Sequence, residues 1–139
     1  MVKSYYYIPD DEEPELIKYT KNKELPVDVP YLIVKLGQSD LENTILVQTA
    51  EQKDWWFHLA KFPSAHALTF FNLSTVDFRD YKFDKDSLIK TLMATLVKDH
   101  SKQKNMKNVK LHYCQRKNLK IGDKPGLVIL KKPPSTISV

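Results

Sequence analysis

Residues 54–68, with the sequence DWWFHLAKFPSAHAL, place the tightest limits on the fold of this chain. They hold both tryptophans and two of the four histidines, and Pro63 divides them into two short apolar segments. This pattern predicts two strands joined by a turn. Alternation along the first strand gives one face Trp56, His58 and Ala60, and the other face Trp55, Phe57 and Leu59. A strand that is apolar on nearly both faces is normally central in its sheet, with cover on both sides.

The two histidines of this stretch form the first candidate site. His58 and His66 lie eight residues apart on either side of the Pro63 turn, so pairing of the two strands would bring them together at one end of the sheet. Imidazole groups in such a position can hydrogen-bond or bind a ligand. The simpler interpretation is that both are core residues, because aromatic-rich strands are usually buried. Both interpretations stay open at this point.

Length and composition indicate one globular domain. The chain has 139 residues, enough for one substantial core, and its 42% hydrophobic content argues against general disorder. No apolar run reaches the roughly 18 residues that a membrane span needs, and the first residues lack the apolar core of a signal peptide. Cys114 is the single cysteine, which excludes an internal disulfide and a cysteine-cluster zinc site. We therefore expect a cytoplasmic protein without membrane contact.

Positive charge is concentrated in the C-terminal third. Residues 1–30 hold four Lys against seven acidic residues, a net charge of −3, and residues 31–97 hold seven basic against eight acidic residues, a net charge of −1. Residues 98–132 hold eleven Lys and Arg against two acidic residues, a net charge of +9. Such a segment favours a polyanionic partner, because neutralising phosphates releases bound counterions. A basic face that serves solubility alone is the alternative.

Hydrophobic periodicity predicts a helix over about residues 86–100, with Asp86 as its cap and one apolar stripe at helical spacing. Residues 41–50 are ambiguous from local patterns. Asp40 can cap a helix there, whereas the β-branched residues favour a strand, and propensity leans slightly to strand. A short helix could also follow Pro14.

The other apolar segments predict strands. Further strands are expected at residues 31–36, 67–71, 109–113 and 127–130, the last of them buried, with loops at 72–84 and 118–126. Residues 1–30 are expected to form an appended arm outside the core, and residues 133–139 a short tail.

No constellation of residues argues for an enzyme. The three glycines form no phosphate-binding loop, and no pair of histidines has the spacing of a helical metal site. His112 and Cys114 share one strand face, which could lower the pKa of the thiol, but no third group is available to orient them. We therefore expect no catalytic residue, no cofactor and no metal site.

Three blocks of sequence occur in a defined order. They are VKLG (34–37) with ENTIL (42–46), DWWFH (54–58) with PSAH (63–66), and KPGLV (124–128) after a lysine-rich link. In their order and spacing they resemble the NFACT-R domain, the predicted RNA-binding module of the NFACT proteins of ribosome quality control. The resemblance covers about residues 31–132. It is greatest to the small free-standing members of that family, which also carry Ser-Ala-His where Gly-Ser-His is more usual.

The resemblance implies a helix over residues 41–50, against the slight local preference for a strand. It also implies that His58 and His66 are binding residues rather than core residues alone. The implied partner is RNA, either tRNA or rRNA, with a role at the ribosome in translation quality control.

We predict a single α+β domain over residues 31–132, with a mixed or antiparallel sheet that carries the short and the long helix on one face. The predicted function is non-enzymatic RNA binding, with a DNA-binding protein that uses the same basic face and a protein-interaction module as alternatives. The predicted nucleic-acid-binding residues are Gly37, Asn43, His58, Ser64, His66, Lys98, Lys102, Lys104, Lys107, Lys110, Arg116, Lys117 and Lys120.

Overall fold

A computed structural model describes residues 2–8, 15–18, 32–70 and 87–139 of the chain. Nine strands and two α-helices fall within these residues. In chain order they are β1 (Lys3–Ile8), β2 (Glu15–Lys18), β3 (Leu32–Gly37), α1 (Asp40–Thr49), β4 (Trp55–Leu59), β5 (His66–Phe70), α2 (Ser87–Asp99), β6 (Lys110–Gln115), β7 (Leu119–Ile121), β8 (Val128–Leu130) and β9 (Ser135–Ser138). The predicted α+β class is confirmed.

Seven of these strands form one sheet in the order β2-β1-β3-β5-β4-β6-β9, and all neighbouring pairs are antiparallel. β4 lies between β5 and β6, which confirms the prediction of a central strand from residues 54–68. Trp56 on β4 stands opposite Leu68 on one side and Cys114 on the other. β7 and β8 pair with each other as a separate two-stranded ribbon.

Each face of the sheet is covered by a different helix. On one face, Phe57 and Leu59 of β4 belong to a buried cluster with Met93 of α2. On the other face, Trp56 belongs to a second buried cluster with Leu46 of α1. The prediction that both helices lie on one face is therefore wrong. The physical reason is that central strands with apolar residues on both faces need a packed layer on each face.

Reciprocal capping fixes the start of α1. The Ser39 hydroxyl accepts the backbone N–H of Glu42 (3.1 Å), and the Glu42 carboxylate accepts the backbone N–H of Gln38 (3.2 Å). This cap and the burial of Val47 against the sheet outweigh the strand preference of the β-branched residues. The helix implied by the resemblance is confirmed, with Ser39 rather than Asp40 as its cap.

The other main predictions of regular structure are also confirmed in the described residues. α2 matches the long predicted helix, and β3, β5 and β6 match the strands predicted around residues 31–36, 67–71 and 109–113. The predicted Asp86 cap and the predicted loop at 72–84 lie outside the described residues. Neither described helix combines the length and apolar character needed to cross a membrane.

Both ends of the chain contribute to the sheet. β1 pairs with β3, and its Tyr5 and Tyr7 side chains are buried in the main core. β9 pairs with β6 at the other end of the strand order. The appended arm predicted for residues 1–30 and the tail predicted for 133–139 are therefore wrong where the structure describes them. Both segments join the sheet because they pair with strands that are distant in sequence, and local patterns do not reveal such pairing.

The β7–β8 ribbon confirms the strand predicted at 127–130, although it is not fully buried, and places a further strand in the predicted loop 118–126. β7 lies within the predicted loop 118–126, and β8 within the predicted strand 127–130. Leu119 is buried in the cluster beneath α1, whereas Ile129 is 47% exposed, so the ribbon has one covered face and one open face. Further upstream, β2 stands where a short helix was predicted after Pro14.

Candidate nucleic-acid interface

The two histidines of the central stretch lie side by side, as the spacing predicted. The ring centroids of His58 on β4 and His66 on β5 are 4.8 Å apart, and the rings are nearly perpendicular. Trp56 contacts both of them. Its indole Nε1–H donates to Nδ1 of His66 (3.1 Å), and its ring stacks on His58 with centroids 5.6 Å apart.

Both histidines are neutral at physiological pH. Burial, followed by the neighbouring charge of His58, lowers the pKa of His66 to about 3. Burial also lowers the pKa of His58, and His112 opposite it contributes in the same direction. Because Trp56 donates to Nδ1 of His66, the neutral ring carries its proton on Nε2. The pair can therefore hydrogen-bond and stack, but it cannot neutralise a phosphate.

Asn43 and Gly37 connect the start of α1 to the His66 end of β5. Asn43 Oδ1 accepts the backbone N–H of His66 (3.1 Å), and the Asn43 side chain is buried. Gly37 pairs with His66 in the sheet, and a Cβ at Gly37 would overlap Asn43 Oδ1. Three predicted site residues thus form one packed unit that holds α1 on the sheet.

Ser64 closes the turn between β4 and β5. Its hydroxyl accepts the backbone N–H of Leu59 (3.1 Å) and donates to the carbonyl of Ala65 (3.0 Å). The turn therefore has a fixed shape, and its position relative to α1 is set by the neighbouring contact between Asn43 and His66.

A cavity of about 380 Å³ opens at this end of the sheet. Its walls come from the loop after β3, the start of α1, the 63–65 turn and residues 100–103 after α2. Three predicted site residues line it, Asn43, Ser64 and Lys102. The fold therefore brings together residues that are almost 60 positions apart in the chain. The cavity also includes Gln38 and Gln103, which sequence reasoning missed because only the tertiary fold places the end of α2 beside α1.

The predicted lysines after α2 have different surroundings. Lys102, Lys104 and Lys107 are exposed in the segment that leads from α2 to β6. Lys98 is partly buried, and its Nζ donates to the carbonyl of Val139 (3.1 Å), which ties α2 to the end of the chain. The three exposed lysines are therefore the ones best placed to meet a polyanion near the cavity.

The remaining predicted cations lie elsewhere. Lys110 is exposed on β6 and lines a second cavity of about 340 Å³ with Lys61 and Met106. Lys117 and Lys120 are exposed near the β7–β8 ribbon. The backbone N–H of Lys117 donates to the carbonyl of Gln52 (3.0 Å), just beyond the C-terminal end of α1. Lys117 therefore lies near the end of α1 opposite to the Asn43 cavity, about 15 Å away along the ten-residue helix.

Arg116 has a structural position. Its Nε donates to the carbonyl of Val47 (2.6 Å) and its Nη1 donates to the carbonyl of Leu119 (2.9 Å). The guanidinium thus joins α1 to β7 and satisfies two backbone acceptors. Two of its five N–H donors are directed into the protein, so the phosphate contact predicted for Arg116 has less geometric support than a contact by the exposed lysines.

The remaining nucleophile and metal candidates are weak. Burial raises the pKa of the Cys114 thiol to about 11, so the lowering expected from nearby His112 is wrong. Within the described ranges, no group of three or more His, Cys, Asp or Glu side chains is arranged to hold a metal ion.

The chain matches no protein-family model and no curated protein sequence. Among solved structures, it is similar to the C-terminal part of the fibronectin/fibrinogen-binding protein from Streptococcus suis, with a TM-score of 0.66 and 22% sequence identity. The match covers 99% of this chain and 45% of that chain. At this identity, the similarity establishes the fold alone.

Proposed function

We propose that this chain is a non-enzymatic RNA-binding module of the NFACT-R type, which binds tRNA or rRNA in the context of the ribosome. One observation supports this proposal above all others. Asn43, Ser64 and Lys102, which were singled out from the sequence, line one cavity, and Lys104 and Lys107 are exposed beside it in the chain. A cytoplasmic location belongs to the same proposal, and a free Cys114 is typical of a reducing compartment.

The proposed binding mode combines a neutral polar cavity with a basic rim. Lys102, Lys104 and Lys107 would neutralise backbone phosphates, which makes affinity fall with salt by about 0.7 log units per contact and per tenfold salt increase for single strands. His58 and His66 would add no charge, because burial keeps both rings neutral. They would instead hold the turn and the start of α1 in the binding geometry.

A protein-interaction module is the second candidate. The structural neighbour is named for binding fibronectin and fibrinogen. In addition, Leu41 and Ile45 are 62% and 45% exposed one helical turn apart on α1, as an apolar contact surface would require. DNA binding by the same basic rim would give similar salt dependence without a preference for RNA.

Fluorescence anisotropy tests the proposal directly. Labelled tRNA, single-stranded RNA and a DNA of the same sequence are titrated at two salt concentrations. We expect RNA to bind with a steep salt dependence and more tightly than DNA. Equal binding of RNA and DNA would support the DNA alternative, and failure of every nucleic acid to bind would support the protein-interaction module.

A pair of triple variants then locates the rim. Replacing Lys102, Lys104 and Lys107 by Ala should weaken RNA binding and reduce the salt slope by about 2, from three contacts at about 0.7 each. The matched control replaces the exposed Lys53, Lys117 and Lys120 by Ala, which removes the same charge from residues that do not line the cavity. Equal losses in the two variants would contradict a localised rim and leave only attraction by net charge.

A further inference from the structure

Asn43 has a buried hydrogen-bond donor that the described part of the protein leaves unused. Its Oδ1 accepts the His66 backbone N–H, but its Nδ2 has no hydrogen-bond partner among the described residues. The side chain is only 3% exposed and lines the 380 Å³ cavity. Leaving an amide donor buried and unpaired is unfavourable, so such a group indicates a missing partner.

The orientation of this amide is fixed. Because Oδ1 is held by the His66 N–H, the Asn43 amide cannot flip without losing that hydrogen bond. Gly37 packs directly against it, which confines the side chain further. The Asn43 N–H donor is therefore held in a constant position, and a ligand that pairs with it must offer an acceptor.

The size and charge of the cavity favour a neutral polar ligand over a bare anion. A volume of about 380 Å³ lies within the range of about 300–1,000 Å³ for small-molecule sites. Its lining includes the amides of Gln38, Asn43 and Gln103, with one carboxylate from Asp40 and one ammonium from Lys102. With one acidic and one basic residue in its lining, the cavity offers a phosphate no net positive charge, whereas a neutral group with donors and acceptors needs none.

The His100 ring adds an aromatic surface to the lining. Its Nδ1 lies 2.9 Å from the carbonyl of Leu96, which can only accept, so the Nδ1–H donates to that carbonyl and holds the ring in place. Amide side chains and aromatic rings are the groups with which proteins bind unstacked bases.

We propose that this cavity binds one unstacked nucleobase of a single-stranded RNA segment, with Asn43 Nδ2 donating to an acceptor on the base edge. Lys102, exposed at the mouth, contacts the adjacent phosphate. This inference rests on the proposed RNA-binding function and adds to it a base subsite, so that affinity depends on the bases as well as on the phosphates.

Binding of a base-free oligomer distinguishes the base subsite from RNA binding through phosphates alone. A homopolymeric RNA and a ribose-phosphate oligomer of equal length without bases carry the same phosphates. We expect the base-free oligomer to bind at least about fivefold more weakly. Equal affinities would overturn the base subsite while RNA binding itself stands. Failure of both oligomers to bind would overturn the RNA-binding function and the subsite together.

Asn43→Asp locates the subsite. Asp retains an oxygen that can accept the His66 N–H, but it lacks the Nδ2 donor. The expected result is that the homopolymer loses at least about fivefold in affinity and approaches the base-free oligomer. Gln103→Glu is the matched control, because it adds the same charge to the cavity and leaves Asn43 intact. If the control reproduced the whole effect on both oligomers, charge would explain it and the subsite would be refuted.

The unaltered protein provides a test that does not depend on folding of a variant. Addition of a free nucleoside should shift the NMR signals of the Asn43 side-chain amide, and inorganic phosphate should not. A shift with phosphate alone would show that the cavity binds anions instead of bases, and would overturn the inference.

Discussion

Gly37→Ala tests the contact that fixes α1 on the sheet. A Cβ at Gly37 would overlap Asn43 Oδ1 and lie 3.1 Å from both the Asn43 backbone N and Leu46 Cδ1. Neither of the two Asn43 atoms can move alone. The Asn43 N–H is bonded to the Ser39 carbonyl (2.9 Å), and Oδ1 is bonded to the His66 N–H. The substitution must therefore displace α1 or break the contact between Asn43 and His66.

The size of the effect follows from three contributions. Overpacking of a well-packed site costs about 1–3 kcal/mol, and a lost hydrogen bond that leaves the His66 N–H buried costs about 1–3 kcal/mol. Replacing Gly by Ala inside a strand returns about 0.5–1 kcal/mol through the unfolded chain. We expect Gly37→Ala to lower the free energy of unfolding by about 2–4 kcal/mol, a large part of the roughly 5–15 kcal/mol of a typical domain.

Gly122→Ala is the matched control. The added Cβ would lie 2.6 Å from Cγ and 3.0 Å from Cβ of Leu127. The Cγ can rotate away because that side chain is 43% exposed, so only a small shift of the Leu127 Cβ remains. Its cost should stay below about 1 kcal/mol. Urea unfolding followed by the fluorescence of Trp55 and Trp56 gives both free energies. Equal destabilisation by the two substitutions, or a Gly37→Ala protein as stable as the wild type, would refute the packing argument.

Three further predictions concern groups inside the fold. Since the folded-state pKa of His66 is about 3 and its ordinary value is 6.5, the unfolded chain takes up a proton first as pH falls, and stability declines from about pH 6.5 downward. Urea titrations should show wild type losing about 2 kcal/mol more than His66→Gln between about pH 7.5 and about pH 5, and parallel losses would contradict this. Arg116→Met should lower the free energy of unfolding by about 2 kcal/mol and Lys117→Ala by less than about 0.5 kcal/mol, whereas equal effects would place Arg116 on the free surface. Cys114, whose pKa is raised to about 11, should react with iodoacetamide about a hundredfold more slowly in the folded than in the urea-unfolded chain, and rapid labelling of the folded protein would disprove its burial.

Local sequence patterns were sufficient to predict the strands and the helix nearest the candidate site. Two strands around Pro63, one of them apolar on both faces, follow directly from alternation, and the eight-residue spacing placed His58 and His66 side by side. The long helix α2 follows from one apolar stripe at helical spacing. These features depend on residues close in sequence, which is why the pattern alone predicts them.

Features that depend on distant residues could not be read in this way. Whether Tyr5 and Tyr7 lie in an arm or in a strand is decided by pairing with β3, some 30 residues away. Likewise, arginine is a residue type that often contacts phosphate, but the hydrogen bond to the carbonyl of Val47 determines where the Arg116 side chain points. The cavity itself requires Gln103 and Asn43 at the same end of the sheet, and only the folded sheet with a helix on each face brings them there. Burial and long-range hydrogen bonds, rather than residue type, assign these roles.

Mapping by NMR tests directly whether RNA binds at the cavity lined by Asn43, Ser64 and Lys102. A short single-stranded RNA is added to uniformly ¹⁵N-labelled protein, and the shifts of backbone and side-chain amides are followed. We expect the largest changes at the Asn43 side chain, Ser64 and Lys102, with little change at Lys53 and Lys117 near the other end of α1. Shift changes confined to that other end of α1, or spread evenly over all exposed lysines, would contradict RNA binding at the cavity.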